Sequence, residues 1–565
     1  MKSKYVWNTY SALNQEEFDP IKKYGRLLAK LLFVRGLKTE KEADNYLRSI
    51  GFVHSPFLMR NMKQAIFQIH ETLSNKKRIA VYGDYDADGV TASAILLNML
   101  REAGANVVSY IPDRFLEGYG LNKAAVKKLK EQNVDLVITV DCGIRSVEEV
   151  EYAKSLGLKI IITDHHEPAE ILPDADFILS PKQEGDDYPD KNLAGCGIAL
   201  KIAEAMNLEY PYLNINMDEL IMIASIGTVA DIVPLHDENR SLVKKGLELF
   251  SQTKSDYIAA MGDQAGFDPS TVTSGLISFT IAPRINAAGR MSHANTALKL
   301  LMSEDFEEAS GYAKTIEELN TERQKITSEI QAMAEESVDK FGVPAVICVK
   351  DKNFNSGVVG LAASKLTEKY NRPSFVGFDN GQEVRISGRS IPEFNMISAM
   401  DAISDVFIKY GGHKMAAGAT VPTAAWNEFV ERINKEAVKH IDFSAIQPLL
   451  NADMILPPAL VCTRLIDTIS LLEPFGAENP EPLFEIRGLK VIEKKIIGST
   501  KQHLKMKVTG DGLHPTDALY FYGAVFADQV PEYIDLICSI EKNTWHGNDS
   551  IQLNIRDIRD AKKQK

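Results

Sequence analysis

The sequence predicts an α/β protein made of a parallel-sheet domain, a smaller α/β domain joined to it by a long helix, and a C-terminal β-barrel. From residue 78 onward, short apolar runs alternate with amphipathic helical stretches, which is the pattern of βαβ units and therefore of a parallel sheet. Residues 305–340 contain no proline and only Gly311 as a weak point, so they predict one polar connecting helix or a pair. After about residue 448 the apolar runs become short, alternating and punctuated by glycine, as in a small barrel.

The order of these features divides the chain into five predicted regions. Residues 1–70 form an N-terminal helical region, in which residues 20–70 predict helices because apolar residues recur at helical spacing with basic residues between them. We expect the parallel-sheet domain over 71–300, the connecting helix over 301–340, the second α/β domain over 341–447 and the barrel over 448–565.

Apolar runs bounded by polar residues or glycine mark the individual strands. In the first sheet these runs are 78–83, 107–111, 136–140, 159–163 and 177–180. In the second α/β domain they are 345–349 and 374–378. In the barrel they are 483–497, 503–508, 518–526, 534–542 and 551–558. Residues 214–300 are expected to be mainly helical.

Length and charge set limits on the class of protein. A chain of 565 residues exceeds one hydrophobic core, so it predicts about three or four domains. The net charge of -13 at first argues against a nucleic-acid partner. However, residues 1–80 carry 15 Lys and Arg against 7 Asp and Glu, whereas residues 81–480 hold a net charge of −22. A carboxylate-rich middle is what a metal-centred enzyme needs, although an ordinary acidic protein explains the charge equally well.

Membrane and disulfide-bonded classes are not expected. No uninterrupted apolar run reaches the roughly 18 to 20 residues that span a bilayer, and no apolar segment follows the charged N-terminus as in a secretory signal. The five cysteines are scattered and form no C-x-x-C pair, so neither a disulfide framework nor a zinc site is predicted. A reducing cytoplasm fits this composition.

Three carboxylates follow the first predicted strand. Asp84, Asp86 and Asp88 alternate in Y-G-D-Y-D-A-D-G, a strand-to-helix turn. Three carboxylates this close cannot all stay ionised without a cation. A solvated acidic turn is the alternative explanation of this motif taken alone.

More candidate ligands follow later strands. Asp141 ends the strand before Cys142, and Asp164 and His165 end the next in T-D-H-H, while Asp231 lies in the apolar segment V-A-D-I-V-P. We expect these groups to meet at the carboxyl edge of the parallel sheet, where open α/β folds bind ligands. Carboxylate and imidazole without thiolate favour Mn²⁺ or Mg²⁺. Two such ions, about 3.5–4 Å apart, form the arrangement used for phosphoester hydrolysis.

The ordered motifs D-Y-D-A-D-G, V-D-C-G, T-D-H-H and V-A-D-I-V-P-L resemble those of the DHH phosphoesterase superfamily. Four further segments resemble its RecJ exonuclease branch: I-P-D-R with G-Y-G, A-P-R-I-N-A-A-G-R, I-S-G-R-S and G-G-H. The resemblance covers essentially the whole chain. It implies a DHH catalytic domain, a DHHA1 domain and an OB-fold-like DNA-binding barrel. It also implies 5′-to-3′ hydrolysis of single-stranded DNA to 5′ mononucleotides, in DNA repair and recombination.

The resemblance also implies roles for the metal-binding residues. Asp86, Asp141 and His165 are similar to ligands shared around two ions, and Asp141 is the expected bridge. Asp88 and Asp231 complete the set.

Three neighbouring residues have less direct roles by the same resemblance. Asp84 is either a ligand or a residue behind the ligands. Asp164 is expected to orient an imidazole, and His166 to act as a phosphate contact or as an acid.

Substrate contacts are implied in the same way. Arg114, Ser387 and Arg389 match the pocket for the DNA 5′ phosphate, and arginine suits it because its planar fork pairs with phosphate oxygens. Arg290 matches a contact to the phosphate backbone, and Tyr119 a base-stacking residue. The glycine-turn residues Gly411, Gly412 and His413 match further phosphate contacts. In the barrel, Trp545 is a candidate for stacking, with packing on its own barrel as the alternative.

Two other functions stay open at this point. One is a small-nucleotide phosphodiesterase of the same superfamily, and the other is a non-catalytic scaffold with a RecJ-like fold. The expected partners of the exonuclease are single-stranded DNA with a 5′ phosphate, a RecQ-type helicase and a single-strand-binding protein, with no membrane.

Overall fold

The computed structural model describes residues 3–10, 15–252, 254–442, 446–498, 500–545 and 548–561. The chain forms two compact units. One consists of residues 54–233 and 245–446, and the other combines the described residues of 1–53, 234–244 and 447–565. The limits of the five regions given above stay a prediction.

The N-terminal region contains helices and one unexpected strand. Its elements are β1 (Val6–Thr9), α1 (Arg26–Val34), α2 (Glu40–Arg48) and α3 (Met62–Ser74). Thr39 and Glu42 form a capping box that starts α2. Strand β1 precedes the residues predicted to be helical and was not itself predicted; it pairs in parallel with Leu449–Ala452. Because that partner lies far away in the chain, no local pattern marks the strand.

A five-stranded parallel sheet follows, as predicted. Its elements are β2 (Arg78–Gly83), α4 (Ala87–Glu102), β3 (Asn106–Tyr110), α5 (Lys123–Glu131), β4 (Leu136–Val140), α6 (Val147–Ser155), β5 (Lys159–Thr163) and β6 (Phe177–Leu179). The strand order is β3-β2-β4-β5-β6. All residues of β4 are buried, which explains its continuous apolar run.

Residues 195–341 are mainly helical, which agrees with the expectation for 214–300, whereas the helix over 195–209 was not predicted. The helices are α7 (Gly195–Glu209), α8 (Met217–Ala230), α9 (Asp237–Gln252), α10 (Asp256–Ala265), α11 (Ser274–Leu276), a π-helical turn (Ile277–Ile281), α12 (Ala282–Met291), α13 (Asn295–Leu301) and α14 (Phe306–Phe341). The connecting segment is a single helix of 36 residues rather than a pair. It starts at Asp305, whose carboxylate accepts a hydrogen bond from the Glu308 amide, and ends at Gly342 with φ 83.

The second α/β domain contains β7 (Ile347–Asp351), α15 (Val359–Tyr370), β8 (Ser374–Asp379), β9 (Glu383–Arg389), α16 (Met396–Asp401), β10 (Lys409–Gly412), β11 (Ala416–Pro422) and α17 (Trp426–His440). The strand order is β10-β11-β9-β8-β7, in which only β7 and β8 run parallel. The sequence did not predict β9, β10 and β11. Glycine, serine and alanine have low strand propensity, so these strands depend on pairing within antiparallel hairpins.

The C-terminal region contains β12 (Leu449–Ala452), β13 (Met454–Ile455), α18 (Thr463–Ser470), β14 (Phe484–Ile497), β15 (His503–Gly510), β16 (Leu513–Tyr520), β17 (Tyr533–Trp545) and β18 (Asn548–Asp560). Strand β17 also pairs with β14 and so closes the predicted barrel.

The predicted strand 518–526 is wrong after Tyr520. Tyr522 has φ 56 and residues 523–526 form a 3₁₀ turn, so the ladder cannot continue there. The side chain of Trp545, the predicted stacking residue, lies outside the described residues. Leu28, Leu31 and Leu32 of α1 share one buried core with barrel residues such as Phe484. Among the described helices, none is both long enough and apolar enough to cross a bilayer.

Candidate metal centre

The carboxyl ends of three neighbouring strands bring the predicted ligands together. In the register of the sheet, Val140 of β4 pairs with Gly83 of β2 on one side and with Thr163 of β5 on the other. The next residues along each strand are Asp84, Asp141 and Asp164. The parallel register therefore places the acidic motifs at one edge of the sheet, as predicted.

The turn between β2 and α4 is held by its own carboxylates. Asp86 caps α4, and its carboxylate accepts a hydrogen bond from the Gly89 amide at 3.0 Å. A Cβ on Gly89 would lie 2.7 Å from atoms of Asp84, so only glycine fits. The close approach of the helix to the strand end thus explains the glycine of the motif.

Asp88 is fixed by the start of α7. Its two carboxylate oxygens accept hydrogen bonds from the Gly195 amide at 2.6 Å and from the Cys196 amide at 2.8 Å. The positive end of a helix dipole stabilises a carboxylate in this position. A Cβ on Gly195 would lie 2.8 Å from Cβ of Asp141. Gly195 could not be identified from the sequence, because no local pattern shows which residues approach Asp88.

The imidazole of His165 lies among three carboxylates. Its Nε2 atom is 3.1 Å from Oδ1 of Asp141, 3.5 Å from Oδ2 of Asp231 and 3.7 Å from Oδ2 of Asp88. Asp231 thus meets the other predicted ligands at this edge of the sheet, but it reaches the edge from the C-terminus of α8 and not from the end of a strand. The first two residues of the segment V-A-D-I-V-P end this helix, and the rest follow it.

Three sets of potential ligand atoms overlap at this edge. Within each set the atoms lie within 4.8 Å of one another: Asp84, Asp86 and Asp141; Asp88, His165 and Asp231; Asp141, His165 and His166. Three atoms of these residues are buried and have no hydrogen-bond partner among the described residues: Oδ1 of Asp84, Oδ1 of Asp141 and Nε2 of His165. Buried polar atoms without partners are rare in folded proteins. The donor set therefore fits divalent ions, with Asp141 and His165 common to more than one set.

Burial and mutual repulsion raise the pKa values of the carboxyl groups. Burial is the larger cause and raises the pKa of Asp84 and of Asp231 to about 8, with neighbouring aspartates adding to the effect. Burial and neighbouring aspartates also raise the pKa of Asp86 and of Asp141. A divalent cation would relieve this repulsion by binding the deprotonated forms.

The two adjacent histidines have opposite electrostatic environments. Burial lowers the pKa of His165, which favours the neutral form that binds metals. The hydrogen bond with Asp164 raises the pKa of His166. Oδ1 of Asp164 lies 2.8 Å from Nδ1 of His166, and Oδ2 accepts a hydrogen bond from the Ile144 amide at 3.0 Å. Asp164 thus orients His166, which is half-exposed and suited to donate a proton.

Tyr119 lies at the rim of the centre. Its hydroxyl group is 3.4 Å from the carbonyl oxygen of Asp141 and 3.4 Å from Nδ1 of His166. The residue is 55% exposed, so its ring remains accessible to a substrate. Its predicted stacking role stays a prediction.

Two of the predicted substrate arginines lie near the turn between β2 and α4. The Arg114 guanidinium lies 4.9 Å from the centre of the Tyr85 ring. Arg290 donates a hydrogen bond to the carbonyl oxygen of Gly357 at 3.3 Å. Burial, followed by the neighbouring Arg114, lowers the pKa of Arg290 to about 10, and Asp86 opposes this shift. Arg290 is thus a partly buried cation between the acidic turn and the second α/β domain.

Asn286 of α12 also contacts this turn. Its side-chain oxygen accepts a hydrogen bond from the Ala87 amide at 3.0 Å. A Cβ on Gly289, in the same helix, would lie 2.3 Å from the carbonyl oxygen of Tyr85. The segment A-P-R-I-N-A-A-G-R contains both residues, although its motif predicted a role only for Arg290.

Ser387 and Arg389 form a separate pair on β9. Nη1 of Arg389 donates a hydrogen bond to Oγ of Ser387 at 3.2 Å, and burial lowers the pKa of Arg389. In the sheet, Gly411 pairs with Gly418, which pairs with Ser387. The structure therefore groups this pair with the glycine hairpin. Arg389 is also close enough to Arg290 to lower its pKa.

The remaining predicted substrate residues have mixed surroundings. Gly412 has φ 150, and a Cβ there would lie 2.4 Å from the carbonyl oxygen of Ala416. The amide of exposed His413 donates a hydrogen bond to that same oxygen at 2.8 Å. Arg114 lies in the loop after β3, and its guanidinium stacks on the ring of Tyr85. Its place in the pocket of Ser387 and Arg389 therefore stays a prediction.

Three family descriptions match successive parts of this chain. Residues 78–228 match the DHH family, N-terminal domain. Residues 327–439 match the DHHA1 domain, and residues 452–557 match the RecJ OB domain. The three matches follow the order of the parallel sheet, the second α/β domain and the barrel.

Named relatives and a solved structure are similar over most of the chain. The single-stranded-DNA-specific exonuclease RecJ of Bacillus subtilis is 38% identical over 94% of this chain and 67% of its own length. The protein of the same name from Salmonella typhimurium is 31% identical over 94% of this chain and 95% of its own length. The crystal structure of RecJ in complex with Mn²⁺ from Thermus thermophilus superposes with a TM-score of 0.83. It is 27% identical and covers 98% of this chain and 80% of that chain.

Proposed function

The chain belongs to the RecJ family of single-stranded-DNA-specific exonucleases, and on that premise we propose that it degrades single-stranded DNA from the 5′ end to 5′ mononucleotides. The observation that carries the proposal is the meeting of Asp141 and His165 with the aspartates of the neighbouring motifs, through buried atoms that lack hydrogen-bond partners. Such a donor set serves hydrolysis of a phosphodiester better than any binding role.

Two divalent ions, Mn²⁺ or Mg²⁺, fit these donors. Asp86, Asp141 and His165 would hold them, with Asp141 as the bridge, and Asp88 and Asp231 would complete the set. The unpartnered oxygen of Asp84 supports a ligand role for that residue too. When bound, such ions supply an activated water and neutralise charge on the scissile phosphate.

The protein side chains around the centre have their own tasks. His166, whose pKa is raised by the hydrogen bond with Asp164, would contact the phosphate or give a proton to the leaving 3′ oxygen. Arg290, a partly buried cation, would bind the phosphate backbone, because a guanidinium forms charge-assisted hydrogen bonds with phosphate oxygens. Tyr119 would stack on a base at the rim of the centre.

Direction would come from a pocket for the 5′ phosphate. Ser387 and Arg389 share a hydrogen bond, and the backbone of Gly411 lies two strands away in the same sheet. The guanidinium fork and nearby backbone amides suit a terminal phosphate with two ionisable oxygens. Gly412, His413 and Arg114 would complete this pocket.

The test compares end-labelled single strands that carry a 5′ phosphate or a 5′ hydroxyl. We expect Asp141→Ala to abolish hydrolysis of both with Mn²⁺ or Mg²⁺, and Arg389→Ala to slow mainly the phosphorylated strand. Arg385→Ala, two residues before Ser387 on the same strand and exposed, serves as the matched control. Equal slowing of both strands by Arg389→Ala would rule out the pocket, and turnover by Asp141→Ala would rule out the bridge. Comparing turnover of a single-stranded oligonucleotide with turnover of a dinucleotide distinguishes the exonuclease from a small-nucleotide phosphodiesterase.

The cellular role follows from the substrate. An enzyme that acts only on single strands needs duplex DNA to be opened, so we propose a RecQ-type helicase and a single-strand-binding protein as partners in DNA repair and recombination. We place the protein in the cytoplasm, which the free cysteines support. The barrel would hold the single strand as OB-folds do.

A further inference from the structure

A groove of about 600 Å³ lies between α1 and α18, in the compact unit that contains the barrel. Residues 454–457, including β13, form one wall. None of the candidate metal ligands or substrate residues lines it. The proposed nuclease function gives this groove no role.

The groove is apolar and aliphatic. Leu28, Met454 and Leu465 line it as part of the buried core. Leu460 and Leu471 also line the groove, and these two residues are 49% and 50% exposed, respectively. Neighbouring exposed apolar side chains of this kind mark interaction surfaces. Of the described residues that line the groove, only Tyr24 is aromatic, so the groove offers little for the stacking of bases.

The charged residues that line the groove in the described part of the chain are all positive. They are Arg26, Lys30 and Arg464, and no described aspartate or glutamate lines it. In the described parts of the chain, none of these three cations takes part in an ion pair. Burial, with Arg26 as a second cause, lowers the pKa of Lys30, as expected where positive charges are uncompensated. The nearby Asp44 is already engaged, because it accepts a hydrogen bond from Tyr24 at 2.6 Å.

We propose that this groove binds an acidic segment of a partner protein whose aliphatic side chains fill the apolar floor. Carboxylates of that segment would pair with Arg26, Lys30 and Arg464 at the rim. Aliphatic side chains would cover Leu460 and Leu471, as when an amphipathic helix occupies a groove. A single strand of DNA satisfies only the charge, whereas an acidic aliphatic peptide satisfies both features.

Cys462 provides a reporter inside the groove. It lines the groove and is exposed, whereas Cys142, Cys196 and Cys538 are buried and Cys348 is intermediate. A maleimide should therefore react first at Cys462, and a bound segment should slow that reaction.

The test uses the full chain and a fluorescent synthetic peptide of Leu, Asp and Glu. We expect saturable binding that weakens as salt is raised, together with protection of Cys462 from maleimide. Replacing Leu by Ser, or Asp and Glu by Lys, should abolish binding. Arg26→Glu combined with Arg464→Glu should weaken binding at least about tenfold, because it reverses two of the charges at the rim. Lys41→Glu, an exposed charge reversal on α2, should leave it unchanged.

Several results would overturn the proposal: no saturable binding, equal binding of the three peptides, or no effect of the double charge reversal. Displacement of the peptide by a single-stranded oligonucleotide would identify the groove as a nucleic-acid site instead. Arg26→Gln combined with Arg464→Gln covers the case in which the reversed charges prevent folding, and thermal unfolding checks both variants. Because the readouts are peptide binding and thiol reactivity, failure here leaves the proposed nuclease function untouched.

Discussion

At the scale of single residues, the electrostatics of the metal centre predict a pH dependence of stability. Asp84 and Asp231 have pKa values of about 8 in the folded, metal-free protein, against an ordinary value of 3.8. Between these values the folded state holds protons that the unfolded state has released. Stability from these groups is therefore fully present below about pH 4 and is lost as the pH rises through about 8.

Urea unfolding with a chelator, across this pH window, measures the effect. We expect the free energy of unfolding of the metal-free protein to fall as pH rises, and Asp84→Asn with Asp231→Asn to flatten the slope. Added Mn²⁺ should reverse the trend, because metal ions bind the deprotonated carboxylates. A metal-free protein whose stability rises between about pH 5 and 8 would contradict the raised pKa values.

A second prediction at this scale concerns backbone strain beside a ligand. Ile232 follows Asp231, has φ 60 and is 75% exposed. A β-branched residue in the left-handed region costs about 1–2 kcal/mol, and glycine adopts it freely. We expect Ile232→Gly to raise the free energy of unfolding by about 0.5–1 kcal/mol.

Chemical denaturation of Ile232→Gly and Asn214→Gly provides the comparison. Asn214 has φ 52, but asparagine tolerates this region, so its substitution should change stability little. A loss of stability in Ile232→Gly would show that the isoleucine side chain makes contacts that outweigh the strain.

At the scale of elements, we expect two glycines in helices to respond in opposite ways to substitution by alanine. Gly195 begins α7, and a Cβ there would press on Asp141 and Asp88, at 2.8 Å and 3.0 Å. We expect Gly195→Ala to reduce metal-dependent hydrolysis at least about tenfold, because small displacements at a reacting centre are costly. In α14, a Cβ on Gly311 meets nothing within 4 Å.

Gly311→Ala should instead stabilise the protein by about 0.5–1 kcal/mol and leave turnover unchanged, because alanine favours a helix. Turnover and thermal unfolding of both variants, measured side by side, separate a general glycine effect from a local one. Full activity of Gly195→Ala would mean that α7 does not position Asp88 as described.

Elements differed in how well the sequence predicted them. Strand β4 and helix α14 follow from local patterns, a continuous apolar run and a long stretch without proline. The Ser- and Gly-containing β9 and the exposed β10 have no such pattern. These strands form because neighbouring strands supply hydrogen-bond partners, and a local window of sequence does not contain that information.

At the scale of the whole molecule, the compact unit that contains the barrel is assembled from distant segments. Arg240 is 3% exposed and donates hydrogen bonds to the carbonyl oxygens of Tyr46, Leu472 and Glu473. Residues of α1, including Leu31, are buried in the same core as the barrel. Loss of the barrel alone would therefore uncover the apolar face of α1.

We expect a chain of residues 1–446 to aggregate more than one of residues 54–446, although it is longer. The shorter chain loses α1 together with the barrel, whereas the longer chain keeps exposed leucines without a partner. Size-exclusion chromatography and light scattering of both proteins measure the difference. Equal solubility would show that α1 does not depend on the barrel.

The sequence by itself determined the fold class, the carboxylate and imidazole chemistry, and the motifs that place Asp86, Asp141 and His165 after successive strands. Each of these features depends on residues that are close together in the chain, so local periodicity and spacing reveal it. Only the tertiary structure decided that Asp231 arrives from a helix end and that Gly195 holds Asp88. The same is true of the pairing of β1 with β12. Such contacts join residues far apart in the chain, and their geometry exists only once the helices and strands have packed.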